Sequence, residues 1–123
     1  MQPQGLDLGA TRYGDEGSRF LSPQRLSEQL GVTQAELARL AGLSRNTLTA
    51  KSATRKVDAA LSPIVRILTL AAEMAGDESR AVIWFKHQPI PGWAGKTAHD
   101  LVGEGKADKV LAYLEAVRAG VYA

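Results

Sequence analysis

Cysteine is absent from this 123-residue sequence, which excludes disulfides and thiolate metal sites. No apolar run reaches the roughly 18 residues that a membrane helix requires. The first 19 residues contain no apolar stretch of the signal-peptide kind, so a cytoplasmic location is expected. No segment alternates apolar and polar residues with β-branched enrichment, so no strand is predicted and the expected fold class is all-α. Histidine occurs only at His87 and His99, with no third ligand or nucleophile at suitable spacing. Both read as surface residues, and no metal site, cofactor or catalytic activity is expected. "GWAG" (residues 92–95) lacks the spacing and the lysine-serine/threonine pair of a nucleotide-binding turn.

What remains is ordinary for a globular chain: 45% apolar and 23% charged residues, enough for one domain or two small ones sharing a core. The net charge is only +2, but its distribution is uneven. Between Leu37 and Val57 lie five basic residues (Arg39, Arg45, Lys51, Arg55, Lys56) and no acidic one. Such a stretch suits a confined anionic partner such as DNA phosphate, and equally a solvated helix face.

Residues 1–19 hold four glycines and little apolar periodicity, and read as a flexible arm. Ser22-Pro23 is a cap followed by proline at the first helical position, with Leu26 and Leu30 on one face and Gly31 as the stop. Thr33 to Glu36 forms a capping box, with Glu36 reaching back, and opens a helix to about Ala41. Gly42 turns the chain, and Ser44 caps a helix reaching about Ser52. "ATRKVDAA" (residues 53–60) reads as a connector, and Ser62-Pro63 as a second cap-plus-proline start. The helix behind it is apolar on more than one face and is the expected centre of the fold. Gly76 closes it and Asp77 caps the next. "KHQPIPGWAGK" (residues 86–96) reads as a loop, Thr97 to Asp100 as a second capping box, and Val110, Leu111, Leu114 and Val117 mark a last helix.

Twenty residues from Gln34, "QAELARLAGLSRNTLTAKSA", carry a helix-turn-helix pattern. Two helices crossing steeply need a small residue where they meet, here Ala38, and the tight turn needs a left-handed residue, here Gly42. Leu37, Leu43 and Leu48 pin the second helix. Its N-terminus would enter the major groove with Ser44, Arg45 and Asn46, and Thr49 one turn on. Gln34, Lys51, Arg55 and Lys56 complete the candidate DNA-binding residues, the lysines and arginine following the backbone. Residues 22–57 resemble the Xre/Cro-like helix-turn-helix class.

The second half holds Trp84, the loop marks Pro89, Pro91 and Gly95, then Asp100-Leu101-Val102, then Val110, Leu114, Val117 and Gly120-Val121. In that order they resemble the toxin-binding domain of Xre/MbcA/ParS-type antitoxins, partners of RES-domain toxins. Trp93 stands where that pattern often has an aliphatic residue, and Ala98 replaces a proline. The resemblance implies an N-terminal helix-turn-helix bundle (20–60, after the arm 1–19) packed with a helical toxin-binding and dimerisation domain (61–123). It implies an antitoxin that neutralises an NAD-consuming toxin, either NAD-degrading or ADP-ribosylating, by placing its C-terminus in the toxin's NAD cleft. It also implies operator DNA as a partner, autorepression, and a homodimer within a larger toxin–antitoxin assembly. Candidate toxin-binding residues are Trp93, Lys96, Arg118, Gly120, Val121, Tyr122 and Ala123. A plain transcriptional regulator, with C-terminal helices that only dimerise, remains the alternative.

Overall fold

The computed structural model describes residues 20–120. They form seven α-helices: α1 (Pro23–Leu30), α2 (Gln34–Ala41), α3 (Arg45–Thr49), α4 (Thr54–Ala75), α5 (Glu78–His87), α6 (Ala98–Gly103) and α7 (Ala107–Arg118). A 3-10 turn, Lys51–Ala53, joins α3 to α4. No strand occurs among the described residues, so the chain is all-α. The arm expected at 1–19 and the tail residues Val121, Tyr122 and Ala123 lie outside the described residues.

Most helix starts follow the local capping chemistry. Ser22 accepts the Arg25 N–H at 3.2 Å, Thr33 that of Glu36 at 3.0 Å, and Asp77 that of Arg80 at 2.8 Å. Thr97 and Asp100 close a full capping box. The box expected at Thr33 is only half made. Glu36 does not reach back, because its carboxylate is engaged by Arg39 and by His99.

Ser62-Pro63 does not start a helix. Instead α4 runs unbroken from Thr54 through 22 residues, with Pro63 in its interior and the expected connector forming its first two turns. Proline there removes the N–H that would bond the carbonyl of residue 59. Burial decides against the break: Val57 and Leu61 lie at helical spacing from Ile64, Ile67 and Leu68, and all five are buried. Ser62 donates its hydroxyl to the Asp58 carbonyl at 2.8 Å instead of capping. The recognition helix α3 is shorter than expected and ends at Thr49. Lys86 and His87, read as loop, finish α5.

One core serves both halves. Leu26, Leu30, Leu37 and Leu48 from the first three helices join Leu61, Ile64 and Leu68 of α4 and Phe85, Leu101 and Val110 beyond it. α4 packs on α5 and α7, and α2 meets α6 directly. The Lys86 ammonium donates to the Leu30 carbonyl at 3.0 Å, so α5 satisfies the end of α1. Replacing Pro63 with alanine restores the missing helix N–H. It should raise unfolding stability by about 1–3 kcal/mol, less any gain in unfolded-chain entropy, as read by urea denaturation.

Candidate functional site

The helix-turn-helix is built as its sequence pattern requires. Gly42 adopts φ 73°, a conformation that L side chains rarely adopt. The Leu43 N–H returns to the Ala38 carbonyl at 2.8 Å. Ala38 and Leu48 are buried where α2, α3 and α4 meet. Ser44 accepts the Thr47 N–H at 3.1 Å, and its hydroxyl pairs with that of Thr47 at 2.8 Å, fixing the first turn of α3.

Arg45 and Asn46 then stand exposed on that first turn, and Thr49 is exposed at its end. The Thr49 hydroxyl turns back toward the carbonyls of Arg45 and Asn46, at 3.4 and 3.5 Å. Lys51, Arg55 and Lys56 are exposed on the 3-10 turn and the first turn of α4. None of the cations Arg45, Lys51, Arg55 and Lys56 has an acidic partner among the described residues. Arg39, fifth member of the basic stretch, differs. Its guanidinium forks onto Glu36 at 2.6 and 3.0 Å, and it faces α6. Gln34 is half-buried and lines, with Thr49 and Lys51, a groove of about 340 Å³ beside the end of α3.

The residues expected to meet a toxin fall into two groups. Trp93 and Lys96 belong to the loop between α5 and α6. Backbone bonds from Ile90 to Lys96 (2.8 Å), from Lys96 to Trp93 (3.0 Å) and from Trp93 to Ile90 (3.3 Å) tighten this loop. Ala94 sits at φ 55°, an uncommon conformation for a residue with a Cβ. The Lys96 ammonium lies 2.8 Å from Glu104, the Lys106 ammonium 3.3 Å from the same carboxylate, and Lys106 stands 5.5 Å over the Trp93 ring. Arg118 and Gly120 lie at the far end of α7, about 18 Å along its axis from Lys106. Arg118 pairs with Glu115 at 2.5 Å and with Glu73 of α4 at 3.8 Å. The Gly120 N–H bonds the Val117 carbonyl at 2.9 Å and its φ of 84° turns the backbone out of the helix.

A third cluster joins the halves. His99 Nε2 lies 3.1 Å from Glu36, and the His99 ring meets buried Phe85 edge-on at 6.1 Å. The Arg39 guanidinium covers Gly103 so closely that a Cβ there would come within 2.7 Å of it. His99 is therefore half-buried and partnered, not a free surface residue.

Two profiles of known families match the chain. Residues 15–72 match the antitoxin Xre-like helix-turn-helix domain, and residues 70–120 match the antitoxin Xre/MbcA/ParS C-terminal toxin-binding domain. The chain belongs to the Xre/MbcA/ParS antitoxins. No curated protein and no solved structure matches it.

The two matched segments of the antitoxin meet within α4, the helix that both halves pack against. Its role is that of an antitoxin with a DNA-binding motif and a toxin-binding domain. Among the described residues, no His/Cys/Asp/Glu cluster suits a metal ion, and no single helix is long and apolar enough to cross a membrane. Sequence reading missed Lys106, which lies over Trp93, and Glu104, which pairs with Lys96 and Lys106; the turn between α6 and α7 brings both to the loop. It also missed the Glu36–His99 pair, whose members are far apart in the chain. The only signal for that pair was a capping-box glutamate that the fold uses elsewhere.

Among the described residues of the antitoxin, three carboxyls are held below their ordinary pKa values. Glu36 is lowered chiefly by its hydrogen bond from Arg39, with His99 adding to the effect. Asp100 is lowered chiefly by the Thr97 N–H. Glu104 is lowered chiefly by the hydrogen bond from Lys96. A depressed carboxyl stabilises the folded state above its unfolded pKa, and that contribution is lost as pH falls through the folded value. Stability should hold from pH 7 to about 5 and decline below the ordinary Glu and Asp values of 4.5 and 3.8. Urea unfolding across this range should show a shallower decline for Glu36→Gln. An identical decline would mean that the Arg39–Glu36–His99 cluster contributes nothing.

Proposed function

We propose that this antitoxin neutralises a RES-type, NAD-consuming toxin, with residues 120–123 entering the toxin's NAD-binding cleft and Arg118 at its rim. Trp93 and Lys96 form a second contact, near the opposite end of α7. The observation that carries the reading is the end of α7. Gly120 leaves the helix in a left-handed turn, exposed, directly before Val121 and Tyr122. Two apolar side chains there suit a cleft in a partner. In this reading the protein acts by binding and not by catalysis.

The same proposal gives residues 20–60 a role in operator binding and autorepression, and residues 61–123 a role in toxin binding and homodimerisation. Arg45, Lys51, Arg55 and Lys56, which have no acidic partner among the described residues, support the DNA role, since such cations are available to phosphate and base edges. A homodimer would present two recognition helices to paired half-sites.

Deleting residues 120–123 tests the plug. The shortened protein should melt as the full chain does and bind operator DNA equally well, yet fail to protect cells from the toxin. Full protection would refute the plug and favour the plain regulator. Arg45→Ala should weaken operator binding by roughly 1–3 kcal/mol if Arg45 reads a base, measured by fluorescence anisotropy at fixed salt.

A further inference from the structure

Around Trp93 the contacts close into a ring. The Lys96 N–H bonds the Trp93 carbonyl at 3.0 Å. The Lys96 ammonium grips Glu104 at 2.8 Å, Glu104 holds the Lys106 ammonium at 3.3 Å, and Lys106 returns over the Trp93 indole at 5.5 Å. The ring joins two pieces of chain: the loop before α6, with Trp93 and Lys96, and the turn between α6 and α7, with Glu104 and Lys106. Glu104 is the one member that touches two others through charge. Beyond the ring, Pro91, Gly92, Ala94 and Gly95 are exposed and carry no large side chain; Trp93 among them is half-buried, with one part packed against the core and the rest left as the one large side chain of this stretch at the surface.

We propose that Glu104 is a positioning residue for toxin recognition: by holding Lys96 and Lys106 on one carboxylate, it fixes the orientation in which Trp93 is presented to the toxin. The inference rests on the reading of Trp93 as a toxin contact and adds the residue that sets it. An aromatic side chain held in its bound orientation loses less conformational freedom on association, so a rigid tryptophan binds more tightly than a mobile one. Without the carboxylate the two ammonium groups have no common partner. The lysine cover over the indole is then released, and with it the loop end at Lys96. The charged members are 36–43% exposed at their side chains, so their ion pairs add little to global stability and their effect is local.

The test uses the full chain in a Trp84→Phe background, so that Trp93 is the sole tryptophan. Glu104→Gln should raise acrylamide quenching of Trp93 about twofold and weaken binding to the toxin encoded beside the antitoxin gene about five- to tenfold. The melting temperature should stay unchanged, and Glu104→Asp should restore most of both properties. Trp93→Ala is measured alongside. If it binds toxin as the parent does, Trp93 is no toxin contact and the proposal falls with that reading. If Trp93→Ala weakens binding while Glu104→Gln does not, the reading stands and the positioning role is overturned. Weaker binding by Glu104→Gln with unchanged quenching also overturns it, because Glu104 would then act by direct contact.

Discussion

Eight apolar side chains of α4, from Val57 to Ala71, are buried, and they point to more than one side of the helix. No single neighbour can cover such a surface. α2 and α3 meet it on the N-terminal half of the fold, while α5 and α7 pack on it from the other half. This demand explains why the two halves of the antitoxin share one core instead of standing as separate domains on a linker. It also explains why Pro63 is tolerated in the middle of the helix. A break at that point would expose Val57 or Leu61, and each fully buried aliphatic side chain is worth about 1.5–3 kcal/mol.

The shared core sets the two candidate surfaces at defined places. The recognition helix α3 is only five residues long and is held by Leu48, the Ser44 cap and the turn at Gly42. Its exposed cation Arg45 is followed by Arg55 and Lys56 on the first turn of α4, so the helix that organises the core also carries part of the basic surface. On the other half, α7 separates the Trp93 group from the Arg118–Gly120 group. A toxin meeting both would have to span the length of that helix. Between the halves, Arg39, Glu36 and His99 form a polar seam across α2 and α6. Arg39 is thereby withdrawn from the basic stretch that its sequence position suggested.

Much of the architecture was legible in local chemistry. Ser22-Pro23, Thr33, Ser44, Asp77 and Thr97 marked helix starts because capping acts within four residues, which a sequence displays directly. Gly31, Gly42, Gly76 and Gly120 marked stops for the same reason. The spacing of Leu37, Ala38, Gly42 and Leu48 made the helix-turn-helix readable, and the order of residues from Trp84 to Val121 made the toxin-binding domain recognisable. Where local signals and burial disagreed, burial prevailed. Ser62-Pro63 has the form of a helix start, yet the apolar face continues through it.

The sequence by itself determined the fold class, the positions of the caps and turns, the family, and which residues are candidates for DNA and toxin. Each of these depends on neighbours within about one or two helical turns, or on an ordered pattern of such neighbours. Only the tertiary structure decided how those residues are partnered. It gave Glu36 to Arg39 and His99 in place of its own helix start, bound Lys96 to Glu104, set Lys106 over Trp93, and left Arg45, Lys51, Arg55 and Lys56 without acidic partners among the described residues. Electrostatic pairing depends on distance in space, and the chain separations involved, up to 63 residues between Glu36 and His99, leave no trace in local spacing.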